Sequence, residues 1–147
     1  MRRAGASLSA MENAMWNYFW IGLGSALGGM ARYAFSGWVA ARAGASFPLG
    51  TLLVNISGSF LIGLISTGSS PEGRFWLSPS TRDFLMLGIC GGYTTFSSFS
   101  LQTLNLLRDG QWYYAFLNAF SSLAGCLLAV WLGHLLAMGV DQYWKGH

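Results

Sequence analysis

The residues best suited to chemistry fall in one run, Gly88-Ile-Cys90-Gly91-Gly92-Tyr93-Thr94-Thr95-Phe96-Ser97-Ser98-Phe99-Ser100. It holds two adjacent glycines, five serine and threonine hydroxyls, and two phenylalanines three residues apart. Paired glycines weaken a helix by about 1 kcal/mol each, so a helix break is expected at Gly91–Gly92. Inside a membrane such a break survives only where protein or a watery cavity covers the freed backbone. There it offers carbonyls to cations and amide groups to anions. Phenylalanine usually means packing, but a ring edge carries partial positive charge. Interleaved with hydroxyls, Phe96 and Phe99 would suit a narrow path for a small anion.

Three other segments add neutral donors and one cation. Ser25, Gly28 and Gly29 lie seven, four and three residues before Arg32 and share its face. Gly24 and Gly28 form a small-xxx-small pair suited to close helix approach. A packing seam with a snorkelling arginine is one reading. The other, an arginine turned into a watery, anion-attracting vestibule, is favoured because no acid lies in the apolar stretches to pair with it. Thr51, Asn55 and Ser59 recur every four residues as a polar stripe, for which interhelical hydrogen bonding accounts equally well. Asn118, Ser121, Ser122 and Gly125, at i, i+3, i+4 and i+7, make one polar face on an otherwise apolar helix.

The elements that position these residues follow from composition. The 147 residues are 53% hydrophobic and 9% charged, against about 25% charged in a soluble domain. Eight basic and five acidic side chains cannot cover the surface that a domain of this size exposes to water. A soluble enzyme, a nucleic-acid module and a disordered chain are excluded, as is a separate soluble domain. Stretches free of charge run over 13–31, 43–71, 84–107 and 110–140, each close to or beyond the span length of about 20 residues. The chain therefore reads as an all-α polytopic membrane protein. Four transmembrane helices are expected at about 16–41, 48–67, 81–106 and 112–138, the first enclosing Arg32 and the third broken mid-membrane. Residues 1–15 form an N-terminal extension, with disorder left open, and 139–147 a C-terminal tail.

Local signals fit this division. Pro48 suits a first helical turn, and Ser80-Thr-Arg-Asp83 has the form of a capping box. Trp16, Trp20, Trp38, Trp76, Trp112 and Trp144 fall near span ends, as an interfacial belt does. Four spans put Arg2, Arg3, Arg74, Arg82 and Lys145 on one side, and Arg42 and Arg108 on the other. Without the first ten residues the bias is three against two, too weak to impose one orientation. Insertion both ways, and hence an antiparallel dimer, is permitted; termini-in is the plain alternative. Cys90 and Cys126 lack metal-ligand spacing and read as packing residues, and His134 has no partner in spacing. No triad or paired carboxylate can be assembled. With no carboxylate in the spans, proton-coupled cation efflux is disfavoured, while neutral donors suit a dehydrated anion.

Gly28-Gly-Met-Ala-Arg32-Tyr33, Gly50-Thr-Leu-Leu-Val-Asn55 with Gly58-Ser-Phe60, and Gly91-Gly-Tyr-Thr94-Thr-Phe96-Ser-Ser-Phe99-Ser100 together resemble the Fluc/CrcB family of fluoride channels, in order, from about residue 16 to 138. The resemblance implies a dual-topology antiparallel homodimer in the bacterial inner membrane, with two fluoride pores and a structural sodium ion at the dimer centre. By position it implies sodium held by the main-chain carbonyls of Gly91 and Thr94, and pores lined by Phe96 and Phe99. Asn55 matches the pore asparagine and Arg32 the vestibule arginine. Thr95, Ser97, Ser98 and Ser122 fall along the polar track. Asn118 stands where many members have tyrosine or another polar group. Fluoride, sodium, lipid and a second copy are the implied partners, with no nucleic acid. Two alternatives remain at this stage. A small dual-topology multidrug exporter would want a membrane-embedded glutamate, which is missing. A non-transporting assembly protein would use the polar stripes only as interhelical glue.

Overall fold

The structure, a computed structural model, describes residues 2–44, 46–70 and 77–145, without the side chains of 2–13 and 145. Glu72, Arg74 and Trp76, and the side chains of Arg2, Arg3 and Lys145, lie outside the described residues. Every regular element described is helical. Helix α1 (Arg2–Ala43) starts well upstream of Trp16, and α2 (Leu49–Gly68) follows. Helix α3 (Pro79–Asp83) continues through a π-helical stretch, Phe84–Cys90, into α4 (Gly91–Tyr93). After two non-helical residues come α5 (Phe96–Arg108) and α6 (Trp112–Lys145).

The start of α3 differs from the expected capping box. Ser78 is the N-cap, its Oγ accepting the Thr81 N–H at 3.2 Å, and Pro79 opens the helix. Proline at the first helical position has no N–H to leave orphaned, so the Ser-Pro start displaces the Ser80–Asp83 box. Between α5 and α6, Gly110 at φ 72° allows the reversal. Its N–H donates to the Leu107 carbonyl at 3.1 Å and that of Gln111 to Leu106 at 2.8 Å, which satisfies the last carbonyls of α5.

Among the described residues, three helical runs are long and apolar enough to cross a membrane: Leu49–Gly68, Pro79–Arg108 and Trp112–Trp144. The sequence led to four. Helix α1 has the length, at 42 residues, but its glycines, Arg32 and Arg42 dilute its apolar content. Burial supports a lipid setting. Small residues such as Ala115, Ala129 and Ala137 are inside, while Phe116, Phe120, Leu123 and Trp131 on α6 are largely exposed. In water that surface would aggregate. In lipid it is the ordinary arrangement, because small residues let helices approach closely.

Glycine pairs set those approaches. On α1, Gly24 and Gly28 face Gly88 and Gly92; a Cβ at Gly24 would stand 2.9 Å from the Phe84 carbonyl oxygen, and one at Gly28 would strike the Ile89 carbonyl. Gly63 of α2 and Gly133 of α6 meet the Val130 and Phe60 backbones in the same way. Overpacking costs about 1–3 kcal/mol, so Gly28→Ala is expected to lower the thermal unfolding midpoint in detergent. Gly29→Ala is the control, since its Cβ would meet nothing within 4 Å. Equal midpoints for the two variants would remove the contact from this account.

Candidate functional site

Between α4 and α5 the chain leaves helical geometry, with Thr94 at φ −79°, ψ 158° and Thr95 at φ −154°, ψ 116°. The break was expected at Gly91–Gly92, yet both residues are helical, Gly91 at φ −64°, ψ −38°. Gly92 serves contact instead: a Cβ there would stand 2.7 Å from Ser25 Cα on α1. The interruption lies two residues further on, where a side chain from α2 takes over the backbone.

That side chain is Asn55. Its Nδ2 donates to the Thr95 carbonyl at 3.0 Å, and its Oδ1 accepts the Thr95 N–H at 2.8 Å. One amide thus satisfies both backbone groups of an extended residue, as burial requires. In a continued helix the Thr95 N–H would go to the Gly91 carbonyl, and the Ser98 N–H to that of Thr94. The Ser98 N–H instead reaches Thr95 Oγ1, the N-cap of α5, at 3.2 Å. Both carbonyls are therefore released from helical pairing. That of Thr94 accepts Arg32 Nη1 at 3.2 Å, which places half-buried Arg32 at the interruption. Thr95 Oγ1 also lies 3.1 Å from Ser98 Oγ and 3.2 Å from Ser97 Oγ. This hydroxyl cluster sits at the helix N-terminus, the positive end of the α5 dipole.

A cavity of about 650 Å³ opens beside the interruption. Asn55 and Ser59 border it from α2, Phe96 and Phe99 from α5, and Ser122 and Cys126 from α6, together with Gly91, Thr94 and Thr95. None of its lining side chains is acidic or basic. The two phenylalanine rings are 5.3 Å apart between centroids and tilted by 53°, and Phe96 is 79% exposed. Ser122 is 7% exposed, and its hydroxyl has no hydrogen-bond partner among the described residues. Such a group costs about 1–3 kcal/mol, which a ligand in the cavity would relieve.

Of the residues singled out from sequence, Gly91, Thr94, Asn55, Thr95, Phe96, Phe99 and Ser122 meet at this cavity. Ser97 and Ser98 bond within the first turn of α5 and are not among the residues that line it. Asn118, 1% exposed, also lies off it. Its Nδ2 donates to Thr103 Oγ1, which donates on to the Phe99 carbonyl, each at 2.8 Å, so Asn118 braces the backbone behind Phe99. Sequence reasoning missed Thr103 and also Gln102, whose buried Oε1 has no hydrogen-bond partner among the described residues. Gln102, Tyr33, Ser36, Thr51 and Asn105 border a second cavity of about 530 Å³. The signal was present: Phe99, Gln102 and Thr103 continue one face of α5 at i, i+3 and i+4.

Apolar bulk turned outward, small residues inward and an uncharged, mainly apolar cavity with a few hydroxyl and amide groups at an interrupted helix define a multi-pass integral membrane protein. The family model described as CrcB-like protein, Camphor Resistance (CrcB), matches residues 19–134. A relative named fluoride-specific ion channel FluC, from Methylocella silvestris, is 55% identical over 86% of this chain and 96% of its own. Proteins of the same name from Opitutus terrae and Rhodospirillum rubrum are 56% and 49% identical, each over 85% of this chain and 95% and 97% of their own. The chain belongs to the CrcB family.

Proposed function

We propose that this protein is a fluoride-selective passive channel of the bacterial inner membrane that exports cytoplasmic fluoride, and not an enzyme. The observation that carries the proposal is the cavity beside Thr94–Thr95, walled without carboxylate, imidazole or cationic side chains and bordered by the Ser122 hydroxyl, which has no partner among the described residues. Fluoride is small and strongly hydrated, so it crosses only where fixed donors replace its water. The Ser122 hydroxyl, the Asn55 amide hydrogen not used on Thr95 and the edges of Phe96 and Phe99 supply them. Arg32 and the α5 N-terminus add positive potential. Fluoride enters cells as neutral HF and dissociates inside; a negative interior then drives the anion out.

In this reading α1 is the fourth span, the third span is interrupted at Thr94–Thr95 within the membrane, and two copies pack antiparallel to form two pores. The 79% exposure of Phe96, at the edge of the cavity, supports a second copy at that surface. Sodium fits the donor chemistry: the released Gly91 and Thr94 carbonyls are oxygen ligands of the kind that interrupted helices present to sodium. The Thr94 carbonyl shares itself with Arg32, and two carbonyls leave most of a shell unfilled, so ligands from the second copy are needed. When bound, the ion would join the two interruptions and add positive charge at the centre.

The test is efflux from liposomes loaded with potassium fluoride or potassium chloride, started with valinomycin. Fluoride release with chloride retained is expected. No fluoride release would overturn the function, and equal chloride release its selectivity. Protein purified and reconstituted without sodium, in N-methylglucamine, is expected to lose fluoride efflux and regain it when sodium is added. Equal rates in both buffers would remove sodium from the proposal.

A further inference from the structure

Two thiols border the cavity, and the path described above uses neither. Cys126 lies one helical turn beyond Ser122 on α6, on the same face, and is partly exposed. Cys90, at the end of the π-helical stretch and 3% exposed, reaches the same cavity. They are the only two cysteines in the chain, and both are free. Beside them the Ser122 hydroxyl, 7% exposed, has no partner among the described residues. Two sulfur donors and one hydroxyl, with no carboxylate or imidazole on the wall, select soft thiophilic metal ions over hard ones.

We propose that this cavity binds a thiophilic metal ion at Cys126, next to Ser122 and Cys90, and that an ion held there obstructs fluoride passage. The obstruction rests on the reading of the cavity as the fluoride path; the binding does not. The wall carries no charged side chain to offset the charge of a bare cation, so the neutral species mercuric chloride is the suitable probe. Cys126 Sγ forms a bond to mercury, one mercury–chloride bond breaks, and the thiol proton leaves with that chloride as HCl. Mercury stays divalent and nothing is oxidised. Because Cys126 is the more exposed thiol, it reacts first.

The experiment treats full-length protein with mercuric chloride. Mercury uptake is read by intact-mass spectrometry, and fluoride efflux from liposomes is followed with each variant compared to its own mercury-free rate. Wild-type protein is expected to gain one mercury per chain and to fall to the efflux of protein-free liposomes, with recovery in dithiothreitol. Cys126→Ser and Cys126→Ala are expected to lose both effects, and Cys90→Ser to keep them. Wild-type protein that takes up no mercury would overturn the site while leaving the channel intact. Uptake that survives in both Cys126 variants and vanishes in Cys90→Ser would overturn its assignment. Uptake at Cys126 with unchanged efflux would overturn the obstruction. A wild-type protein without efflux before mercury would fall on the fluoride reading alone, and its mercury uptake would still decide the site.

Discussion

Asn55→Leu is expected to reduce fluoride efflux from liposomes to the protein-free rate. Leucine keeps the volume and removes the amide that pairs with Thr95 at 3.0 and 2.8 Å. Two outcomes are open to the backbone, and both end conduction. If Thr95 stays extended, its buried N–H and carbonyl are orphaned, at about 1–3 kcal/mol each. If the chain relieves that cost, the Thr95 N–H returns to the Gly91 carbonyl and the helix closes across the interruption. Closure withdraws the Gly91 carbonyl, repositions Phe96 and removes an N-terminal turn whose dipole favours an anion. The two differ in stability: an unrelieved orphan pair lowers the unfolding midpoint in detergent, whereas closure leaves it near wild type. Asn55→Asp is the companion. At neutral pH an ionised carboxylate would set an acceptor against the Thr95 carbonyl and a negative charge beside the cavity, so it too should be silent. Wild-type efflux in Asn55→Leu would show that the amide neither holds the interruption nor serves the ion.

The same pair of residues marks where sequence reasoning stops. Residue types at fixed spacing carry information about faces, and that much was legible. Asn55 and Ser59, Phe96 and Phe99, and Ser122 each lie on a stripe readable at three- or four-residue intervals, and the structure brings them to one cavity. Which backbone groups leave the helix was not legible. Helix propensity pointed to Gly91–Gly92, because glycine is the local weak point. The outcome is decided by partners 40 and 62 residues distant, Asn55 on Thr95 and Arg32 on Thr94. Gly92 answers to another distant neighbour, the Ser25 backbone, against which a side chain would not fit. Arg32 teaches the same point. Spacing put it on a small-residue face and suggested a vestibule, but its hydrogen bond to the Thr94 carbonyl follows only from the close approach that Gly24 and Gly28 permit.

Phe96→Ile and Phe99→Ile separate packing from anion contact at the two rings. Isoleucine preserves apolar bulk and discards the positive ring edge. An aromatic edge contact of about 0.5–1.5 kcal/mol corresponds to a slowing of about two- to twelvefold per ring, and the effects multiply if the rings act in succession. The double variant is therefore expected to lose about one to two orders of magnitude in fluoride efflux. The two positions are not equivalent. Phe99 sits on a braced backbone, its carbonyl accepting from Thr103, which is held in turn by Asn118. Its replacement should change rate with little effect on folding. Phe96 is 79% exposed on a single chain, so its ring edge acts only if a second copy completes the path around it. Gel filtration in detergent alongside the efflux assay decides between these roles. Slowed efflux with an unchanged oligomer assigns Phe96 to the ion path, and slowed efflux with a dissociated oligomer assigns it to the seam between copies. Unchanged efflux in the double variant would reduce both rings to packing, leaving the hydroxyls, the amide of Asn55 and the α5 N-terminus to carry the ion alone.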